Sequence, residues 1–241
     1  MCSMEWIDRL LLFSNLDYAA VSLLFVGWLV IGWIIENPPK NRQSTSRLMV
    51  FYREEWMRQF IVRDPRIYDA QILTNLRQGT AFFISASMIA VGGGLALIGN
   101  AERLTGVASE LTLVSAPPIV WEIKLIVMLF FVANAFLKFV WSHRVFGYVA
   151  IVMSAVPVDP KDPLCDLRTR QASALHITGA KSYNRGLRGV YFGLTATAWL
   201  AGATALILAC LLTLFIIWRR EFASHSRAAL LQTTLDGVQV K

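Results

Sequence analysis

Four polar side chains interrupt an otherwise apolar run in the middle of the chain: Lys124, Asn134, Lys138 and Ser142. At ~100° per residue they fall within about 80° of one another on a helix, and Glu122 points the other way. Polar groups at membrane depth are costly and by default mark a site. The chemistry available to this stripe is anion passage, because lysines lining a water-filled path favour anions as they do in anion-selective pores. A plainer reading also accounts for it. Lys124 and Lys138 would lie near opposite ends of a span and snorkel to water, or Lys138 would pair with Glu36 at the same depth.

The remaining polar groups offer less. Arg53, Arg58, Arg63 and Arg66 could hold anionic lipid headgroups or an anionic ligand, or could form a solvated basic face that sets topology. His143 and His176 sit on the two arms of an expected hairpin, about two turns out of register, and no Cys, Asp or Glu completes a metal set. Asp64 and Asp69 lie in a basic segment where ion pairing accounts for them. Cys2, Cys165 and Cys210 form neither a disulfide framework nor a CxxC pattern. The glycines at 92 to 94 have no lysine or preceding strand that would make a phosphate loop, so they read as a close helix contact. No nucleophile with a base, carboxylate pair or metal-ligand set is spaced for catalysis. The chain is therefore expected not to be an enzyme, with no catalytic, metal or cofactor-binding residues and no cofactor.

The stripe lies on one long helix that organises the chain. It starts between Trp121 and Trp141, whose separation matches a hydrocarbon core, and its apolar character continues from Val145 to Met153 until Pro157. Composition agrees with a membrane-spanning, all-α class. Of 241 residues 56% are hydrophobic and 16% charged, more apolar surface than a soluble domain this size can hide. The net charge of +7 gathers in two loops and reports membrane orientation, so nucleic acid is not an expected partner.

In chain order, residues 1–17 read as a retained amphipathic interface helix. Crossings are expected at about 18–35, 78–98, 119–141 and 191–218, within one membrane domain over 1–222. Helical parts outside the membrane are expected at about 40–77 and 142–190, the latter as a hairpin formed by extensions of helices 3 and 4. Within 40–77 an amphipathic helix should pack through Met49, Tyr52, Trp56 and Phe60, with Glu54 and Arg58 as an i,i+4 pair. Asp64-Pro65 reads as the start of the next helix, Asp64 capping and Pro65 at its first position. Two ladders of small residues, Ala86/Ala90/Gly94 and Gly193/Thr197/Ala201/Ala205/Ala209, suit close helix packing. Residues 223–241 read as a polar tail with little pattern.

The loops holding 40–77 and 138–188 carry sixteen of the twenty-three lysines and arginines. With four crossings both ends then face away from the cytoplasm, against the Arg219-Arg220 pair. The expected location is a bacterial inner (plasma) membrane with both termini periplasmic.

The run Tyr52-Arg53-Glu54-Glu55-Trp56-Met57-Arg58, then Arg66-Ile67-Tyr68-Asp69, Gly79-Thr80-Ala81-Phe82-Phe83, and Asn184-Arg185-Gly186-Leu187-Arg188 with Tyr191-Phe192 resembles an uncharacterised four-crossing membrane family of bacteria and plants, domain of unknown function 599. The resemblance covers most of the chain and implies a topology without an activity. Two function classes follow from the residues. One is a homo-oligomeric anion channel or transporter, in which self-association covers Val145, Val149, Val152 and Met153. The other is a non-catalytic structural or accessory subunit of a membrane complex. Expected partners are the lipid bilayer, further copies of the chain, or another membrane protein.

Overall fold

The computed structural model describes residues 11–39, 41–100 and 116–232, and the backbone at 234–235 and 238–239. The expected interface helix over residues 1–17 lies, up to residue 10, outside the described residues. The elements are α1 (Asn15–Glu36), α2 (Thr45–Val62), α3 (Ile67–Ile98), α4 (Pro118–Ser154) and α5 (Leu164–Thr197). A 3-10 turn (Ala198–Ala201), α6 (Ala203–Phe222) and α7 (His225–Leu230) follow, and two-residue strands β1 (Thr234–Leu235) and β2 (Val238–Gln239) pair antiparallel at the end. Thus part of the expected pattern-free tail is helical. Four stretches are long and apolar enough to cross a membrane: α1, α3, α4 and Ala203–Leu230.

Local chemistry sets the helix ends. Ser14 and Asp17 form a reciprocal cap on α1: the Ser14 backbone N–H donates to Asp17 Oδ2 at 3.0 Å, and the Asp17 N–H to Ser14 Oγ at 3.2 Å. Ser44 caps α2 by accepting from the Arg47 N–H, and its hydroxyl donates to the Ile35 carbonyl at the end of α1, 2.8 Å away. Asp64-Pro65 does not start a helix. α2 ends at an extended Arg63, the Asp64–Pro65 peptide is cis, and α3 begins at Ile67.

The fourth expected crossing, 191–218, is not one helix. α5 stops at Thr197, Gly202 takes φ +115°, and α6 starts afresh at Ala203. That backbone region favours glycine, which has no Cβ to clash. The small-residue ladder is broken with it: Gly193 is buried, whereas Thr197 and Ala201 are exposed. In α3, too, Ala86 and Ala90 are exposed, and a Cβ on Gly92 or Gly93 would meet nothing within 4 Å. Gly94 alone of that triplet faces a neighbour, the Leu129 side chain.

The chain divides into two compact units. The first comprises Met1–Leu29, Phe82–Phe139 and Asn184–Leu214. Its core holds Leu24, Phe131, Phe139, Phe192 and Leu206, and Phe25 and Trp28 pack on the Phe131 ring at 5.0 and 5.3 Å. Contacts fix the helix directions there. Gly186 faces Phe139 and Gly193 faces Val132, so α5 runs antiparallel to α4. α3 is antiparallel to α4 as well, with Gly94 on Leu129 and Phe83 stacked on Phe139 at 5.0 Å. Cys210 Sγ donates to the Leu23 carbonyl and Gly27 faces Leu214, so α6 runs parallel to α1. Among the described residues, parts of α1, α3, α4, α5 and α6 thus lie in this unit.

The second unit comprises Val30–Ala81, Val140–Tyr183 and Phe215–Lys241. Met57, Phe60, Leu73, Phe146, Val149, Met153, Cys165, Ala172 and Ala180 form its core. Val145, Val149 and Met153 are 1%, 0% and 5% exposed and Val152 is half-buried against the same core, so most of the apolar surface expected to need another subunit is covered within the chain. The physical reason is α5, whose Gly179 seats Phe146 and Val145 closely, together with α2. α2 contributes Met57 and Phe60, while Tyr52 of the expected face is exposed. Arg58 pairs with Glu55 at 2.9 Å instead of Glu54.

Candidate functional site: a lysine pocket at a helix break

The break between α5 and α6 shapes a pocket of about 380 Å³ in the first unit. Asp17 enters from α1, Trp121 and Lys124 from the first turns of α4, and Gly202, Ala203 and Thr204 from the start of α6. Lys124 is 9% exposed. Its ammonium lies 4.9 Å from the Trp121 ring centre and 5.7 Å from that of Trp199, close enough for cation–π attraction. Among the described residues it makes no ion pair. Asp17 takes the Trp199 indole N–H at 2.7 Å and the Ser14 hydroxyl at 2.7 Å, and its carboxylate attracts the Lys124 ammonium without closing an ion pair.

Trp121 is 2% exposed and its indole N–H is buried without an acceptor among the described residues. The first N–H groups of a helix also lack partners within it, and α6 begins at this wall. Residues bearing an ammonium and an indole N–H and the N-terminus of α6 therefore line one cavity, together with the Asp17 carboxylate. That arrangement can hold a small anion by charge-assisted hydrogen bonds.

The stripe residues have different surroundings. Asn134 and Lys138 are half-buried, whereas Ser142 is fully buried and donates to the Gly179 carbonyl at 2.8 Å. Glu36 pairs with Lys181 at 3.1 Å, not with Lys138. Lys138 makes no ion pair among the described residues.

The four arginines are similarly dispersed, all in the second unit. Arg58 is exposed. Arg63 pairs with Asp69, which is 0% exposed and also takes the Trp56 indole N–H at 2.6 Å. Arg66 donates to the carbonyls of Val156 and Pro157. Arg53 is half-buried, its Nε without a partner among the described residues, and burial pulls its guanidinium below the ordinary range.

The two histidines have unrelated surroundings. His143 Nδ1 lies 2.9 Å from the Thr80 hydroxyl. His176 is 4% exposed, packed edge-on to Trp56 at 4.9 Å, and neither ring nitrogen is hydrogen-bonded among the described residues. Burial, and the Arg53 charge, push its imidazole down to about 3, so it is neutral. No group of three His, Cys, Asp or Glu among the described residues is placed to hold a metal ion.

Sequence reasoning reached Lys124 but missed Trp121, Trp199 and Asp17 as its surroundings. Trp121 is one helical turn before Lys124 and was legible as its neighbour. Trp199 and Asp17 come from distant segments, and only the fold brings them there.

No curated protein and no solved structure matches the chain significantly. The family described as "Protein of unknown function, DUF599" matches residues 19–226, most of the chain, and the protein belongs to that family.

Proposed function

We propose that the protein is a membrane transport protein for small anions, non-enzymatic, with Lys124 in its binding pocket. The single observation that carries this reading is a lysine nine-tenths buried, without an ion-pair partner among the described residues, in a donor-lined pocket on a helix long and apolar enough to cross a membrane. Asp17 attracts this ammonium without closing an ion pair, so desolvating it stays costly, and such residues are characteristically kept for a pathway or a ligand. The proposal places the protein in the plasma membrane, with the basic segments 40–77 and 142–183 in the cytoplasm. It requires no second copy of the chain, since Val145, Val149 and Met153 are buried and Val152 half-buried within one copy.

The test is solid-supported-membrane electrophysiology on proteoliposomes with chloride, acetate and phosphate. Wild type should give anion-dependent currents, and Lys124→Gln should lower them at least about tenfold, the effect of losing one charged hydrogen bond at the site. A well-folded wild type giving no current with any of the three anions would overturn the reading and leave an accessory subunit as the better one.

A further inference from the structure

A second cavity, of about 370 Å³, lies in the other unit, where Arg66, just before α3, and one face of α3 (Ala70, Leu73, Thr74, Arg77) meet Phe60 of α2 and Ala150, Met153 and Ser154 of α4. Its floor is apolar: Phe60, Leu73 and Met153 are 3%, 5% and 5% exposed. Its rim carries two guanidinium groups. Arg66 is held in place, donating to the Val156 and Pro157 carbonyls at 3.0 and 2.9 Å and lying 4.4 Å from the Phe60 ring centre. Two of its five N–H donors are used there and the others remain. Arg77 is exposed and makes no ion pair among the described residues. The Thr74 and Ser154 hydroxyls donate to the Ala70 and Ala150 carbonyls, each at 2.9 Å, which leaves their oxygens free to accept.

The position along α3 narrows the ligand. α3 has 32 residues, whereas ~20 suffice for a hydrocarbon core. Asp69, Gln71, Asn75, Arg77 and Gln78 occupy its first turns, so this polar end is the surplus and the cavity lies where the helix leaves its apolar run. We propose that this cavity binds an anionic phospholipid with a hydroxyl-bearing headgroup: the phosphate meets Arg66 and Arg77, a headgroup hydroxyl donates to Thr74 or Ser154, and an acyl chain lies on the Phe60/Leu73/Met153 floor. A free phosphate would satisfy the arginines and leave that floor bare. A zwitterionic headgroup would set its own cation against them.

The test is native mass spectrometry of the full chain in mild detergent, titrated separately with phosphatidylglycerol, phosphatidylcholine and inorganic phosphate. Phosphatidylglycerol should bind most tightly, and Arg77→Glu should weaken it at least about fivefold with an unchanged melting temperature. Ser154→Trp, which fills the cavity from its exposed rim, should weaken it as well. Equal binding of the two lipids, binding of inorganic phosphate as tight as that of phosphatidylglycerol, or phosphatidylglycerol binding unaffected by both substitutions would each overturn the proposal. None of these outcomes bears on Lys124.

Discussion

Thr195 and Thr213 share a hydroxyl hydrogen bond of 2.7 Å although eighteen residues separate them. On one straight helix they would be ~27 Å apart at 1.5 Å per residue, so the chain reverses at the Ala198–Gly202 break. α5 therefore approaches the break and α6 returns from it, although α5 is not one of the four stretches that apolarity picks out. Near the far end of α6, the Thr45 hydroxyl donates to the Glu221 carbonyl at 3.1 Å, and Arg227 donates to the Gln43 carbonyl at 2.9 Å. The chain after α6 thus sits beside the basic 40–77 segment. That would put Arg219 and Arg220 on the basic side, where the charge rule favours them.

The expected outcome is opposite sidedness for the two ends of α6. Single cysteines at Lys161→Cys and Ser226→Cys should be labelled by an impermeant maleimide from one face, and Ala201→Cys from the other. Labelling of Ser226→Cys from the Ala201 face would overturn it.

Asp69 should be the most sensitive polar position in the second unit. Its carboxylate is fully buried and holds both Arg63 and the Trp56 N–H. Asp69→Ala leaves both donors unpaired, one of them a charge that is partly solvated, and should cost about 2–3 kcal/mol. Asp69→Asn keeps an acceptor for Trp56 and should cost less. Melting temperatures in one detergent check the order. Equal values for wild type and Asp69→Ala would mean that water replaces the carboxylate without loss.

Much of the architecture was legible because hydropathy reports burial in lipid directly. The helix expected over 119–156 is α4, Pro118–Ser154. The break at Gly202 was hidden because Ala198-Trp199-Leu200-Ala201 is as apolar as a continuing helix would be, and the glycine reads equally as a packing notch. The direction of α6 follows from Thr195, Thr213, Leu23 and Cys210, which are paired only by tertiary contact. The candidate pocket was half legible for the same reason. A lysine within an apolar run stands out in one sequence, whereas Asp17 and Trp199, which are 182 residues apart, do not.

Glycines that look alike in the sequence should behave oppositely on substitution. A Cβ on Gly189 would stand 3.0 Å from Ala135 Cβ and 3.2 Å from the Phe131 carbonyl oxygen, backbone-anchored atoms that cannot swing aside. Gly189→Ala should therefore separate α4 from α5 and cost about 1–3 kcal/mol. Gly92→Ala meets nothing within 4 Å and gains helix propensity, so it should be neutral or stabilising by up to about 1 kcal/mol. A loss for Gly92→Ala as large as that for Gly189→Ala would show that Gly92 has a partner beyond this chain's described residues.

The pH dependence of stability should be traceable to His176. Its folded-state pKa is about 3 against an ordinary 6.5, because burial and the Arg53 charge keep the ring neutral. Between those values the unfolded chain takes up a proton that the folded chain refuses. Stability attributable to this group is thus fully present above about pH 6.5 and falls with decreasing pH, by up to about 1.4 kcal/mol per pH unit, until pH 3. His176→Phe retains the edge contact with Trp56 and removes two ring nitrogens that have no hydrogen-bond partner. At pH 8 it should be neutral or stabilising, since no bond is lost and two buried polar atoms disappear. The decline in melting temperature from pH 6.5 to pH 4 should be shallower than in wild type. An unchanged slope would assign the acid sensitivity to other groups and imply that His176 can be protonated within the folded protein.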